Sequence, residues 1–313
     1  METLILPISL DQHRETAALL DGQDKLSDLK NLDLSYNYVF DDNYNFVTLN
    51  LSKLQFLDVG HTHWKLENIV EGLSSSHNLQ TIKFTDSRSY TDAAVASLEH
   101  LQHFHHLQAV VLDFSGVNDT HIPILSKYIT NMHSLRVLDL GCNKITNDGL
   151  SILVGALHGL QHFHHLDLSY NQMSMPAIET SLDSLRYLSL AGNDIGADGA
   201  QILAAALKYL PSLIHLDLSD NKLTSSGVLA LVCELNLLTN LQYLDLSYNH
   251  LRFDYNEVHQ LQLVECLRRI VTLKYLTLAG NRLSRDGAIV LANHLTQLYH
   301  LDLSDIANQL SLQ

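Results

Sequence analysis

The stretch Leu241-Gln242-Tyr243-Leu244-Asp245-Leu246-Ser247-Tyr248-Asn249-His250-Leu251 decides the fold. Its fourth and sixth positions, Leu244 and Leu246, alternate with polar residues, so the spacing predicts a short strand with one buried face. Asn249 follows where the chain turns away. Its amide can donate to and accept from backbone groups that a turn would otherwise bury unpaired.

The same L-x-x-L-x-L-x-x-N-x-L spacing recurs along the chain. Clear copies are Leu135-Leu138-Leu140-Asn143-Ile145, Leu185-Leu188-Leu190-Asn193-Ile195, Leu213-Leu216-Leu218-Asn221-Leu223 and Leu273-Leu276-Leu278-Asn281-Leu283. Phe163-Leu166-Leu168-Asn171-Met173 and Leu29-Leu32-Leu34-Asn37-Val39 also fit, and weaker copies begin at Met1, Leu54, Leu79, Leu107 and Leu298. First positions run from 1 to 298 in eleven steps of about 27 residues, six of them 28. The copy at Leu107 has two possible registers across residues 107–119, because Val111-Leu112-Asp113-Phe114, read from Ala109, also matches Val137-Leu138-Asp139-Leu140.

After the Asn comes a helix signal. Asp148-Gly149, Asp198-Gly199, Ser226-Gly227 and Asp286-Gly287 each place an N-cap candidate before an apolar-periodic run. Each unit is then one strand plus one helix, too small to fold alone, and stacking buries a continuous core.

This pattern resembles the leucine-rich-repeat family, ribonuclease-inhibitor type, over essentially 1–313. The resemblance implies an α/β fold, a leucine-rich-repeat solenoid (horseshoe) of about twelve repeats with parallel strands on the concave face and helices on the convex face, in a single domain over 1–313. There are three departures. Thr62, Ser87 and Ser115 stand where Asn is expected, so those turns should be less regular. The step from Phe163 to Leu185 is short and contains Pro176, which predicts a shortened helix or an extended crossover. The family's namesake is rich in cysteine, and this chain is not.

Composition narrows the function. The 313 residues carry 19 Lys and Arg against 34 Asp and Glu, a formal net charge of −15. That argues against nonspecific nucleic-acid binding, which needs clustered cations, and allows a basic protein partner. The segment Met1-Glu2-Thr3-Leu4-Ile5-Leu6-Pro7 has no basic n-region, and no apolar stretch is long enough to span a membrane, so no membrane role is expected. Cys142, Cys233 and Cys266 are far apart and odd in number, which reads as no disulfide framework and a reducing, cytoplasmic compartment, of the producing cell or of a host cell. The repeats fill the chain to about Leu303, leaving no room for an attached catalytic domain such as the cysteine-bearing one of bacterial ubiquitin ligases. No G-x-x-x-x-G-K-[ST], G-x-S-x-G or H-E-x-x-H occurs. No enzyme activity and no cofactor are expected.

Function in a solenoid lies on the surface the repeats present. Motif positions 3, 5, 7, 8 and 10 should face the concave side or its rim. They hold seven of the 13 tyrosines: Tyr36, Tyr38, Tyr170, Tyr187, Tyr243, Tyr248 and Tyr275. They also hold twelve Asp, no Glu and five Lys or Arg. Position 5 forms an Asp column of Asp33, Asp58, Asp139, Asp167, Asp217, Asp245 and Asp302; a structural role for it in the strand is as good an expectation as a binding one. Position 3 carries His165, Tyr187, His215, Tyr243, Tyr275 and His300. Rigid aromatics suit interface anchoring, with charge setting specificity and on-rate. The expected partner-binding residues are Asp167, Tyr170, Tyr187, His215, Asp217, Tyr243, Asp245, Tyr248, Tyr275, His300 and Asp302. The expected function is a non-catalytic protein–protein interaction module for a basic partner, working as inhibitor, adaptor or bacterial effector.

Other features carry less. Leu-Gln-His-Phe-His-His-Leu occurs at 101–107 and 160–166, but His105, His106, His164 and His165 lack a completing cysteine, and duplication is the simpler account, so no metal is expected. His61 and His63 read as a polar rim pair, Cys142 as a thiol without a neighbouring His, and Trp64 as core. Arg88 and Arg282 on the rim open a rival reading, activation of a small GTPase, resting on analogy alone. Exposed edge strands at Met1–Leu6 and Leu298–Leu303 make self-association as a scaffold the third alternative.

Overall fold

A computed structural model describes residues 2–5, 27–36, 51–62, 73, 76–85, 104–252 and 257–305. The expectations for Asn37, Tyr38, His63, Trp64, Ser87 and Arg88 lie outside these. The chain forms two compact units, Met1–Lys144 with Leu160–Phe163, and Ile145–Gly159 with His164–Gln313.

The first unit contains six three-residue strands: β1 (Thr3–Ile5), β2 (Asn31–Asp33), β3 (Phe56–Asp58), β4 (Thr81–Lys83), β5 (Ala109–Val111) and β6 (Val137–Asp139). They pair parallel in chain order, each motif position against its counterpart, as in Asn31↔Phe56, Leu32↔Leu57 and Asp33↔Asp58. Ala109↔Val137 and Val111↔Asp139 settle the register at Leu107: the copy begins at Leu107, and the Ala109 alternative is excluded. One helix, α1 (Ile122–Ile129), is described here; Pro123 sits in its first turn, where a missing N–H costs nothing.

The second unit repeats the plan with β7 (His165–Asp167), β8 (Tyr187–Ser189), β9 (His215–Asp217), β10 (Tyr243–Asp245), β11 (Tyr275–Thr277) and β12 (His300–Asp302), again parallel in chain order. Its helices are α2 (Asn147–Leu157), α3 (Gly196–Ala206), α4 (Thr224–Glu234), α5 (Glu257–Arg269) and α6 (Arg285–His294). Between β7 and β8 the chain crosses without a helix, the extended alternative for the short step at Pro176.

Burial follows the motif. Leu188, Leu190, Leu213, Leu216, Leu218, Leu223 and Leu246 are fully buried, and the position-3 and position-5 residues beside them are half exposed, except Ser189, which is buried. Truncating one such leucine to Ala would cost about 2–5 kcal/mol.

The Asn spine works as its chemistry suggests. Asn143 Nδ2 donates to the carbonyls of Leu112, Leu140 and Gly141, and its Oδ1 accepts from the N–H groups of Ser115 and Val117 at 3.1 and 2.9 Å. Asn281 does the same for the repeat before it, accepting from Asn249 N and Leu251 N. Where Asn is replaced, a hydroxyl supplies part of this: Ser115 Oγ donates to Phe84 O at 2.6 Å, and Thr62 Oγ1 to Val59 O at 2.7 Å.

Two expectations are corrected. The helix caps lie earlier than the Asp/Ser-Gly pairs: Thr146 caps α2 by accepting from Asp148 N, and Ser284 caps α6 by accepting from Gly287 N. The glycines serve packing instead. A Cβ on Gly199 would lie 2.0 Å from Ser174 O, and one on Gly227 2.8 Å from Ala197 Cα. The cysteines are not all thiols either. Cys233 on α4 and Cys266 on α5 are disulfide-bonded, because a helix in one repeat stacks on the same helix in the next, and a separation of 33 residues is close to one repeat. Cys142 is not disulfide-bonded.

Candidate functional site

Side chains at motif position 3 leave the sheet on its open face, one above the next at the strand spacing of ~4.8 Å. In the second unit this stacks their rings. His165 and Tyr187 have centroids 4.0 Å apart and planes 4° apart. Tyr187–His215 follows at 4.6 Å, His215–Tyr243 at 5.4 Å and Tyr243–Tyr275 at 4.3 Å with planes 3° apart. Tyr275 continues to His300 at 6.4 Å in a tilted contact, while Tyr299 meets Tyr275 edge-on. Each ring fixes its neighbour, so the row presents polar tips from an already ordered surface, which lowers the entropy lost on binding.

The Asp column stands one alternate position along. Each described member accepts, through Oδ1, the backbone N–H two residues on: Asp33 from Ser35, Asp58 from Gly60, Asp139 from Gly141, Asp167 from Ser169, Asp217 from Ser219, Asp245 from Ser247 and Asp302 from Ser304, at 2.8–3.0 Å. The column therefore closes the strand-to-turn corner, and its structural role is real. Asp217 and Asp245 face each other in register. Burial raises the Asp217 carboxyl above its usual range and Asp245 adds to this, against the Ser219 hydrogen bonds. At the end of the sheet the Ser304 N–H holds Asp302 below that range. Burial also lowers His165 and His215, against the pull of Asp167 on the first and of Asp217 and Asp245 on the second.

Tyr170 and Tyr248 lie elsewhere. They occupy position 8, where every described residue has a left-handed backbone: Tyr36, His61, Phe114, Cys142, Tyr170, Gly192, Asp220, Tyr248, Gly280 and Asp305 have φ between 52° and 64°. The N–H of this position donates to the position-7 carbonyl of the next repeat, as from Tyr170 to Ala191 O and from Tyr248 to Ala279 O. Of the expected binding residues, then, Tyr187, His215, Tyr243, Tyr275 and His300 share the ring row. Asp167, Asp217, Asp245 and Asp302 share the corner column, and Tyr170 and Tyr248 sit on the turn row beyond it. In the first unit Tyr36 and His61 stack across that turn row at 4.2 Å.

Sequence reading missed Gly192 and Gly280 as seats for the two turn-row tyrosines. The signal was present: Ala-Gly-Asn replaces Ser-Tyr-Asn at the repeat after each of them. His105 and His106 are exposed. Among the described residues no group of three or more His, Cys, Asp or Glu is placed to hold a metal, and no helix is long and apolar enough to cross a membrane.

Parallel strands registered by an Asn spine, with polar rows on the open face, define a repeat protein. Part of the chain matches leucine-rich-repeat family models: one, Leucine Rich repeat, matches residues 131–154, 159–175, 182–204 and 209–232, and a second, Leucine Rich Repeat, matches 240–261. No curated protein matches the chain. Several solved structures share the fold. An internalin (inlF) from Listeria monocytogenes str. 4b F2365 aligns at TM-score 0.60 and 23% identity over 93% of this chain and 80% of that one. The mouse RP105/MD-1 complex contains a chain at TM-score 0.61 and 20% identity, over 90% of this chain and 43% of that one. A chain of the TLR13–ssRNA13 complex aligns at 0.55 and 20%, over 93% and 48%. The chain thus spans under half the length of the latter two, and the likeness is one of fold.

Proposed function

We propose that this chain is a non-catalytic protein–protein interaction module. Its acidic, tyrosine-rich concave face binds a basic protein partner, as inhibitor, adaptor or bacterial effector. The observation that carries this is the six-ring row from His165 to His300, bordered by Asp167, Asp217, Asp245 and Asp302. At the face positions of the second unit stand seven Asp against Lys222 and Arg282, and Lys222 is held by Asp194. We also read the repeats as ribonuclease-inhibitor type, on the strand-plus-helix unit and the 28-residue steps, and residues 1–313 as one domain.

The scaffold in the mouse RP105/MD-1 complex meets a protein, and the one in the TLR13–ssRNA13 complex meets RNA. A net charge of −15 weighs against the second use here. Work in a cytoplasm would require the Cys233–Cys266 pair to be kept reduced, whereas an oxidising compartment keeps it bonded.

The test is association of the chain with a polyarginine probe at rising ionic strength, using the native chain and an Asp167→Asn/Asp217→Asn/Asp245→Asn/Asp302→Asn variant. The native on-rate should fall steeply with salt and the variant's should be lower and flatter. Equal rates and equal salt slopes would sink the reading.

A further inference from the structure

The six repeats of the second unit are two copies of a set of three. Leu166-Asp167-Leu168-Ser169-Tyr170, Leu188-Ser189-Leu190-Ala191-Gly192 and Leu216-Asp217-Leu218-Ser219-Asp220 are followed by Leu244-Asp245-Leu246-Ser247-Tyr248, Leu276-Thr277-Leu278-Ala279-Gly280 and Leu301-Asp302-Leu303-Ser304-Asp305. On the turn row this writes Tyr–Gly–Asp twice: Tyr170–Gly192–Asp220 and Tyr248–Gly280–Asp305.

The structure gives each triplet the same shape. All six residues are left-handed. The Tyr170 ring fills the space a Cβ on Gly192 would take, with Cδ1 2.3 Å from that point. Tyr248 fills the same space over Gly280, also at 2.3 Å. Both tyrosines remain open on the other side, at 55% and 51% exposure. Each ring therefore leans across its glycine toward the strand that carries the aspartate. An aromatic ring and a carboxylate on one row, with a glycine between them, offer the two kinds of group that hold a guanidinium or an ammonium group. Position 5 adds Asp167 and Asp217 to the first triplet and Asp245 and Asp302 to the second. The basic side chains of the same rim are Lys222, held by Asp194, and Arg282, with His250 on the repeat of Tyr248.

We infer that the two triplets are equivalent subsites for two basic side chains, Arg or Lys, placed four residues apart on one extended segment of the partner. The triplets lie three strands apart, ~14 Å at the ordinary strand spacing. Along an extended chain, residues i and i+4 are roughly 13 Å apart and point to the same side, whereas i+3 and i+5 point to the opposite side. This inference rests on the reading of the face as a site for a basic protein and specifies the segment it takes.

The experiment uses the full chain and fluorescein-labelled Ser/Thr peptides with two arginines three, four or five residues apart, with octa-arginine and a neutral parent as references. The four-residue spacing should bind roughly tenfold tighter than the other two, because both subsites engage one chain. Tyr170→Ala and Tyr248→Ala should each remove that advantage, with circular dichroism unchanged. Equal binding at all spacings, or a preference that survives both substitutions, would overturn the inference. In that case octa-arginine binding that still weakens in Asp217→Asn/Asp245→Asn leaves the acidic-face reading standing. Octa-arginine binding no better than the neutral parent would overturn both. Tyrosine-dependent binding of a neutral chitohexaose, with no arginine peptide bound, would overturn the cationic assignment.

Discussion

The Asn249 side chain is bonded on both sides: its Oδ1 accepts from Asn221 N at 3.0 Å and its Nδ2 donates to Leu218 O at 2.7 Å, so one amide ties two successive turns together. Asn249→Ala leaves those buried groups unpaired and should cost about 2–4 kcal/mol in denaturant unfolding. Asn221 donates to Leu190, Leu218 and Ser219, but its buried Oδ1 has no partner among the described residues. Asn221→Ala should therefore cost less than Asn249→Ala. Equal losses would contradict this view of the spine.

The tyrosine–glycine seats predict a coupled pair. Gly280→Ala places a Cβ at φ +64° and within 2.3 Å of the Tyr248 ring. Left-handed backbone alone costs about 1–2 kcal/mol there, and moving the ring adds to it. In Tyr248→Ala/Gly280→Ala the collision is gone, so the double loss should fall short of the summed single losses by about 1 kcal/mol. Additive losses would mean that the ring does not rest on the glycine.

Much of this architecture is legible in the sequence. Leucines at motif positions 1, 4 and 6 are apolar because they are buried, and Asn because the turn has backbone groups to satisfy. The legible part ends where neighbouring repeats meet. Asp-Gly and Ser-Gly pairs read as caps because local spacing says so, yet Gly199 is glycine because Ser174 O presses against it. Cys233 and Cys266 look unrelated until helices stack one repeat apart. The column of His165, Tyr187, His215, Tyr243, Tyr275 and His300 is visible as spacing, but ring stacking needs coordinates. Tyr170 and Tyr248 look like members of the same face until the left-handed turn separates them.

The ring row predicts an acid-sensitive second unit. His165 and His215 have pKa values below 6.5 in the folded chain, so the unfolded chain takes up the proton first. Stability is then present above about pH 6.5 and is lost as pH falls through that range. His165→Phe/His215→Phe should lose less stability than the native chain between about pH 7.5 and 5.5. Imidazole NMR titration midpoints at or above 6.5 would contradict the prediction.

The Asp column separates charge from structure. Asp245→Asn keeps an oxygen for the Ser247 N–H, whereas Asp245→Ala removes it. The Asn variant should match native stability within about 0.5 kcal/mol, and the Ala variant should lose about 1 kcal/mol or more. A large loss in the Asn variant would show that the charge itself holds the corner.

Thiol titration under denaturing, non-reducing conditions should find one thiol, Cys142, and three after reduction. Reduction should lower the stability of the second unit by about 2–4 kcal/mol. Three thiols in the chain as isolated from an oxidising medium would contradict the Cys233–Cys266 pairing.

The most direct test of the central claim is a paired affinity capture. One bait is the native chain; the other carries Asp217→Asn, Tyr243→Ala, Asp245→Asn and Tyr248→Ala, with circular dichroism and unfolding midpoint matched to native. A basic protein held by the native bait, lost from the variant and released by salt is the predicted result. A specific partner captured equally by both baits would place recognition on the helices or the sheet edges and contradict the account.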